Sequence, residues 1–242
     1  MAAGEAKYRR IVLKVSGEGL AREGHFGIDE DALAVTAEEI AAVTALGVQV
    51  ALVIGGGNFF RGRQVADSRR IARPTADTMG MLATTMNALA LRDCLEGVGV
   101  PARVMGTVTT DAVSEPFVAR RAVDHLDAGR VVLLAGGTGH PFFTTDTCAA
   151  LRAAELGADA MLKATKVDGV FSADPVTHPA AERFERLTYQ EMLMRRLGVM
   201  DMTAVSLCMD AAIPVIVFKF TKRGNTLRVV RGEDVGTTIT AD

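Results

Sequence analysis

The sequence predicts an α/β fold, a three-layer sandwich with a central mostly parallel sheet between helices. Two observations predict it and a third sets its extent. Apolar runs of strand length recur along the 242 residues: Ile11–Val15, Val48–Ile54, Ala102–Met105, Val131–Ala135, Ala160–Ala164 and Pro214–Phe218, with shorter ones near Leu227–Val230 and Thr237–Thr240. Segments of helical spacing separate them almost throughout, the pattern of parallel strands joined by helical crossovers on both faces. No repeat, low-complexity tract or linker divides the chain, so a single domain is expected over 1–242.

Between the first two strands, Leu33, Ala37, Ile40, Ala41 and Thr44 mark one face of a helix. Asp29, Glu30 and Asp31 enrich its start in acids, favourable at the positive end of the helix dipole, and Gly47 closes it. A longer helix is expected from Thr75 to Glu96, with Met79, Leu82, Ala83, Met86, Leu89 and Ala90 on one stripe and a stop at Gly97. Ser114-Glu115-Pro116 is expected to open another, since the first helical turn does not need the N–H that proline lacks. The run Val131–Ala135 leads, through a loop of glycines and hydroxyls, into an alanine-rich helical stretch from Thr147 to Leu156. The methionines Met192, Met194, Met200 and Met202 read as core.

Composition excludes several classes of function. At 49% hydrophobic, the chain can bury a substantial core, yet it holds no run of eighteen apolar residues that could span a membrane. Its first residues lack the apolar stretch of a secretory signal. Cys94, Cys148 and Cys208 are widely spaced and odd in number, with neither a disulfide framework nor metal-ligand spacing. A reducing, cytoplasmic setting is therefore expected. A formal net charge of -2, no Trp and 5% aromatics argue against nucleic acid as a partner.

Chemistry concentrates at strand ends. Lys14-Val15-Ser16-Gly17-Glu18 follows the first strand, Gly55-Gly56-Gly57-Asn58 the second, and Gly136-Gly137-Thr138-Gly139 the fourth. One glycine pair after a strand is often only a tight turn. Three at one edge would gather backbone N–H groups where ligands bind in parallel sheets. The Thr138–Asp146 stretch also runs into a helix N-terminus, which suits an anion, most often phosphate. No P-loop or dinucleotide pattern is present, so a phosphate site needs a different lysine, and Lys14 is the best candidate. Among Arg61, Arg63, Arg69, Arg70 and Arg73 most read as a solvated loop. Arg61 differs, because it lies four residues after Gly57 and its guanidinium could stabilise phosphoryl oxygens.

Asp77, Asp146 and Asp201 fall at or near expected helix starts, where aspartate is an ordinary cap. Their functional alternatives are a ribose contact, orientation of Lys14 or coordination of Mg²⁺. The stretch Lys163–Pro175 reads either as a hairpin or as a nucleotide-binding flap with Phe171 against a base. His25, His125, His140 and His178 show no metal spacing.

Together these segments resemble the amino acid kinase family, from about Tyr8 to Thr240. The resemblance is carried by Lys14–Glu18, Ile54–Gly62, Asp77–Thr84, Thr138–Asp146, Lys163–Phe171 and Val199-Met200-Asp201, and is strongest to the branch that phosphorylates UMP. It implies the amino acid kinase fold, with an acceptor-binding part over roughly 8–160 and a nucleotide-binding part over roughly 161–242 sharing one sheet. It implies phosphoryl transfer from ATP, with Mg²⁺ carried mainly by the ATP phosphates, to UMP in pyrimidine nucleotide synthesis. Lys14, Arg61, Asp146 and Asp201 are the implied catalytic residues. Lys14, Val15, Ser16, Gly17, Gly57, Arg61, Thr165, Phe171 and Asp174 would bind ATP. Gly56, Asp77, Thr138, Gly139, His140, Pro141, Phe142, Phe143, Thr144 and Thr145 would bind UMP. It further implies a homohexamer regulated by GTP and UTP, with the Glu23–Ile28 segment linked to the GTP response.

One departure is His140, where the family motif usually has Asn. If only the backbone N–H there meets phosphate, the change is neutral. If the imidazole reaches the phosphate, affinity falls with rising pH as the ring loses its proton. Two other readings accompany the main one: a family member that phosphorylates a carboxylate or carbamate, and a nucleotide-sensing or storage protein that kept the fold without the chemistry.

Overall fold

A nine-stranded sheet organises the computed structural model of the chain, which describes residues 5–22, 24–60, 70–175 and 177–241. Its first strands are β1 (Arg10–Val15), β2 (Gln49–Ile54), β3 (Ala102–Gly106), β4 (Glu115–Pro116) and β5 (Val131–Ala135). The rest are β6 (Ala160–Thr165), β9 (Arg186–Thr188), β10 (Val215–Lys219) and β11 (Thr237–Thr240). The order is β4-β3-β5-β2-β1-β6-β10-β11-β9. Only β10 and β11 pair antiparallel within it. A separate hairpin joins β7 (Val170–Phe171) to β8 (Arg183–Phe184), so the stretch after β6 does form a hairpin.

Helices cover both faces. On one side lie α1 (Glu30–Thr44), α2 (Arg73–Gly97) and α7 (Asn225–Val230), packed on Ile11, Leu13, Val15, Leu52 and Ile54. On the other lie α3 (Ala119–Asp127), α4 (Thr145–Glu155), α5 (Tyr189–Met194) and α6 (Met202–Asp210), packed on Val12, Val53, Met161 and Val217. The alternation along β1 follows from the two-residue period of a strand, which sends neighbouring side chains to opposite faces. Among the described residues no helix is long and apolar enough to cross a membrane.

Four expectations are corrected. Leu227–Val230 is not a strand but part of α7. The run is too short to display a helical period, and its spacing appears only when Thr226, Val229 and Val230 are seen buried together. Glu115-Pro116 does not open a helix; it pairs with Met105 and Gly106 as β4, and α3 begins at Ala119. Proline fits there because an edge strand has a side that needs no donor. The α2 stripe is turned outward in part: Met79, Leu82 and Met86 are 37%, 42% and 51% exposed, while Ala76, Ala83, Ala88, Leu91 and Leu95 face the core. Met192 and Met200 are buried, but Met194 and Met202 are exposed.

Candidate active site

β1 and β6 are parallel neighbours, and their register sets Lys14 beside Lys163. By strand parity both side chains share the face of Val12 and Met161, towards α4. Asp146, the second residue of α4, stands between them. Its Oδ1 lies 3.2 Å from the Lys14 ammonium, and its Oδ2 accepts from the Lys163 ammonium. Lys163 also donates to the Val199 carbonyl oxygen at 2.5 Å. All three side chains are less than 15% exposed.

Two cations around one carboxylate leave this buried spot positive, beside the positive end of α4. Burial alone would raise the Asp146 carboxyl, but the Lys14 and Lys163 ammoniums outweigh it and hold it below the ordinary aspartate value. Burial lowers Lys163, and nearby Lys14 adds to this; the Asp146 and Asp201 carboxylates act in the opposite sense. An arriving phosphate would relieve the excess positive charge.

The glycine loops stand close by. A Cβ at Gly17 would collide with the Gly55 carbonyl oxygen and lie 2.8 Å from the Gly57 nitrogen, so the loops after β1 and β2 pack backbone against backbone. A Cβ at Gly56 would lie 2.6 Å from the Gly80 carbonyl oxygen of α2. Buried Asn58 and Asn87 brace this junction: their side-chain amides bond to each other, and Asn87 Nδ2 donates to the Gly55 carbonyl oxygen at 2.8 Å.

The loop after β5 is built differently. Gly136, Gly137 and Gly139 take φ of 79°, 59° and 81°. The Gly136 N–H donates to Thr84 Oγ1 at 2.7 Å, and Thr107 Oγ1 donates to the Gly136 carbonyl oxygen at 2.7 Å. Phe142 holds φ 74°, a left-handed conformation unusual for an aromatic residue, and its N–H donates to Asp77 Oδ2 at 2.9 Å. Arg73 pairs with Asp77 at 2.8 Å, and its guanidinium lies over the Phe142 ring, 5.8 Å from the centroid. Thr144 caps α4, its Oγ1 accepting from the Asp146 and Thr147 N–H groups. Asp201 caps α6, accepting from the Ala204 N–H at 3.0 Å and from the hydroxyls of Thr144 and Thr147.

Most of the described sequence candidates therefore lie along the carboxyl edge of the sheet. Lys14, Ser16, Gly17, Gly56 and Gly57 occupy the carboxyl ends of β1 and β2, where Lys14 meets Asp146. Thr165, Phe171 and Asp174 line one cleft of ≈ 510 Å³, together with Lys163 and the turn over 195–199. Val15 is only 1% exposed and packs in the core, which leaves its backbone alone to meet a ligand. Asp146 contacts Lys14, whereas the hydrogen bonds of Asp201 join α4 to α6. Arg61 lies outside the described residues. His140 is exposed, and its N–H donates to Thr138 Oγ1 at 3.2 Å.

Sequence reasoning passed over Lys163 as a functional residue. Its signal was a charge inside the apolar run Ala160–Ala164, which is costly without a partner. Asn58 and Asn87 were missed as a bracing pair because their pairing spans 29 residues.

A parallel sheet with a buried lysine pair at its carboxyl edge, flanked by glycine loops and a helix N-terminus, defines an α/β protein of phosphate-binding type. The chain belongs to the amino acid kinase family, whose family model matches residues 9–219. It is similar to the solved UMP kinase of Bacillus anthracis, with 40% identity, 97% of each chain covered and a TM-score of 0.94. The UMP kinase of Ureaplasma parvum matches at 34% identity and TM-score 0.91, over 97% of this chain and 99% of that one. The uridylate kinase of Archaeoglobus fulgidus matches at 29% identity and TM-score 0.75, over 95% and 99%.

Proposed function

We propose that this protein is a UMP kinase, transferring the γ-phosphoryl group of ATP to UMP in pyrimidine nucleotide synthesis. The observation that carries this reading is the Lys14–Asp146–Lys163 cluster, set beside the cleft of Thr165, Phe171 and Asp174 and at the head of the helix that the Thr138–Thr145 loop enters. The cleft would take the adenosine, and the loop the acceptor nucleotide. The similarity to the UMP kinases of Bacillus anthracis and Ureaplasma parvum over nearly the whole chain supports the choice of acceptor.

A UMP phosphate oxygen attacks the γ-phosphorus in line; a new P–O bond forms as the bond to the β–γ bridging oxygen breaks, and ADP leaves. No phosphoenzyme or general base is needed, because the attacking oxygen is largely ionised at neutral pH. Catalysis is then positioning and charge neutralisation. Lys14, Lys163 and the amides of Gly17 and Gly57 would share the charge on the transferring group, and Asp146 orients both lysines. Arg61 is assigned a similar role, and Asp77 a ribose contact.

Asp146 Oδ1 faces the Lys14 ammonium at 3.2 Å and Oδ2 accepts from Lys163, so this carboxylate is already balanced by protein cations. Mg²⁺ would be carried mainly by the ATP phosphates. Bound there, it supplies charge neutralisation on the β- and γ-oxygens.

The outward apolar stripe of Met79, Leu82 and Met86 supports assembly into an oligomer, which we assign as a homohexamer in the cytoplasm. For regulation by GTP and UTP, the described part of the 23–28 segment offers a route: the Gly27 N–H donates to the Asn58 carbonyl oxygen at 2.9 Å, and Phe26 packs edge-on against Phe59 at 5.7 Å. A coupled assay of ADP release tests the reading. Turnover with UMP, and none with aspartate, N-acetylglutamate or carbamate, is expected. Turnover with one of those acids would reassign the acceptor, and no turnover with any acceptor would overturn the kinase reading.

A further inference from the structure

A second cavity, of ≈ 740 Å³, opens on the opposite side of the β6 end from the Phe171 cleft. It lies between the first turns of α1, the 3₁₀ turn Gly17–Leu20 and the turns after β6 and β10. The size is that of an ordinary small-molecule pocket. Ala21, Val35 and Phe220 give it a largely apolar wall. Charge enters at three side chains: Glu18, Asp31 and Lys166. Lys166 and Glu18 form an ion pair at 3.7 Å, so Asp31 leaves the balance acidic.

The Thr165 hydroxyl points to the same preference. Thr36 Oγ1 donates to the Ala32 carbonyl oxygen at 2.8 Å, and Thr165 Oγ1 donates to the Val167 carbonyl oxygen at 2.7 Å. With its proton committed, the Thr165 hydroxyl offers the cavity acceptor lone pairs, whereas Thr36 is 1% exposed and stays within the wall. An apolar wall, an acidic balance and an acceptor hydroxyl disfavour phosphates and carboxylates. They favour a compact apolar body carrying a protonated amine.

We propose that this cavity is a second small-molecule site, for an apolar compound bearing an ammonium group, and that its occupancy is felt on the ATP side. Thr165 carries the coupling, because it lines both this cavity and the Phe171 cleft, and Ser16, assigned to the ATP phosphates, lines the cavity beside it. The binding claim is independent of the kinase reading; the coupling claim rests on it.

Tryptamine is a suitable probe, with indole-3-acetate as the same ring bearing the opposite charge. Calorimetry on the full chain without nucleotides is expected to show saturable tryptamine binding with a dissociation constant of about 1 mM or tighter. Indole-3-acetate should bind at least tenfold more weakly. Asp31→Asn should weaken tryptamine several-fold, and Val35→Trp, or the gentler Ala32→Leu, should abolish it by filling the cavity, with an unchanged melting temperature certifying the fold. In the UMP assay, tryptamine should change the KM for ATP at least threefold and leave that for UMP unchanged. Equal binding of indole-3-acetate, or undiminished binding to both filled variants, overturns the site. Binding without any change in the KM for ATP overturns the coupling. Absence of UMP turnover would instead strike the kinase reading and leave the calorimetric result standing.

Discussion

The lysine cluster and the acceptor loop meet at the head of α4, yet buried charge holds the first while backbone geometry and partly exposed contacts hold the second. Lys14, Lys163 and Asp146 sit on two strands and one helix, all less than 15% exposed, with their places set by strand register. The loop relies on three left-handed glycines, on Thr84, Thr107 and Asp77, and on Phe142 and Phe143, which are 65% and 52% exposed. In the proposed reading the buried cluster meets the transferring group, and the loop that would take UMP is held by backbone geometry and more exposed side chains, as binding loops generally are. Asp146 and Thr144 are the joint, since both belong to the start of α4.

Asp146→Asn should break the rigid side most completely. An amide cannot balance two buried ammoniums, and removing one member of a buried ion pair typically costs about 3–5 kcal/mol. Urea unfolding at pH 7 should show that loss. The pH dependence carries a sign: the folded carboxyl lies below its unfolded value of about 3.9, so its stabilisation is complete above about pH 4 and is lost as pH falls through the folded value. The wild-type advantage should therefore hold above about pH 4 and shrink as pH falls below it. A constant gap would mean that the carboxylate charge is not what clamps the lysines.

Lys14→Ala comes next. Removing one preorganised donor costs about 10²–10³ in kcat, or about 3–4 kcal/mol, and stability should fall less than in Asp146→Asn because Asp146 keeps Lys163. Near wild-type turnover would refute the assignment of Lys14.

Asp77→Ala addresses the loop. It removes the acceptor of the Phe142 N–H and the partner of Arg73. A hydrogen bond to a charged group contributes about 1.5–3 kcal/mol, so the KM for UMP should rise about 10- to 150-fold, with that for ATP nearly unchanged. Equal increases in both would show that the two sides are not separable.

The two regions also differed in legibility. Period-two and helical spacing gave most strands and the layer order, because burial imposes those periods directly. Lys14 and the glycine loops stood out because each lies at a strand end in a short motif. The links between them did not: Lys14 and Lys163 become neighbours only through β1–β6 pairing, and Asp77 meets Phe142 across 65 residues. The outward stripe of α2 misled for a related reason, since spacing reports an apolar face without saying what covers it. Asp201 shows a third limit, because one aspartate at a helix start both caps α6 and ties it to α4.

His140→Asn should be the smallest change and tests how far the loop works through its backbone. Thr138 Oγ1 accepts from the His140 N–H and donates to the His140 carbonyl oxygen, both at 3.2 Å, so residue 140 is fixed by main-chain atoms that asparagine also has. The imidazole is exposed at the loop surface. UMP affinity should therefore change less than about twofold, and its profile between about pH 5 and 8, the range in which histidine charge commonly changes, should match the wild type. An affinity that weakens with rising pH in the wild type alone would place the imidazolium on the UMP phosphate. The acceptor side would then also hold its ligand with a side-chain cation, and its contrast with the lysine cluster would narrow.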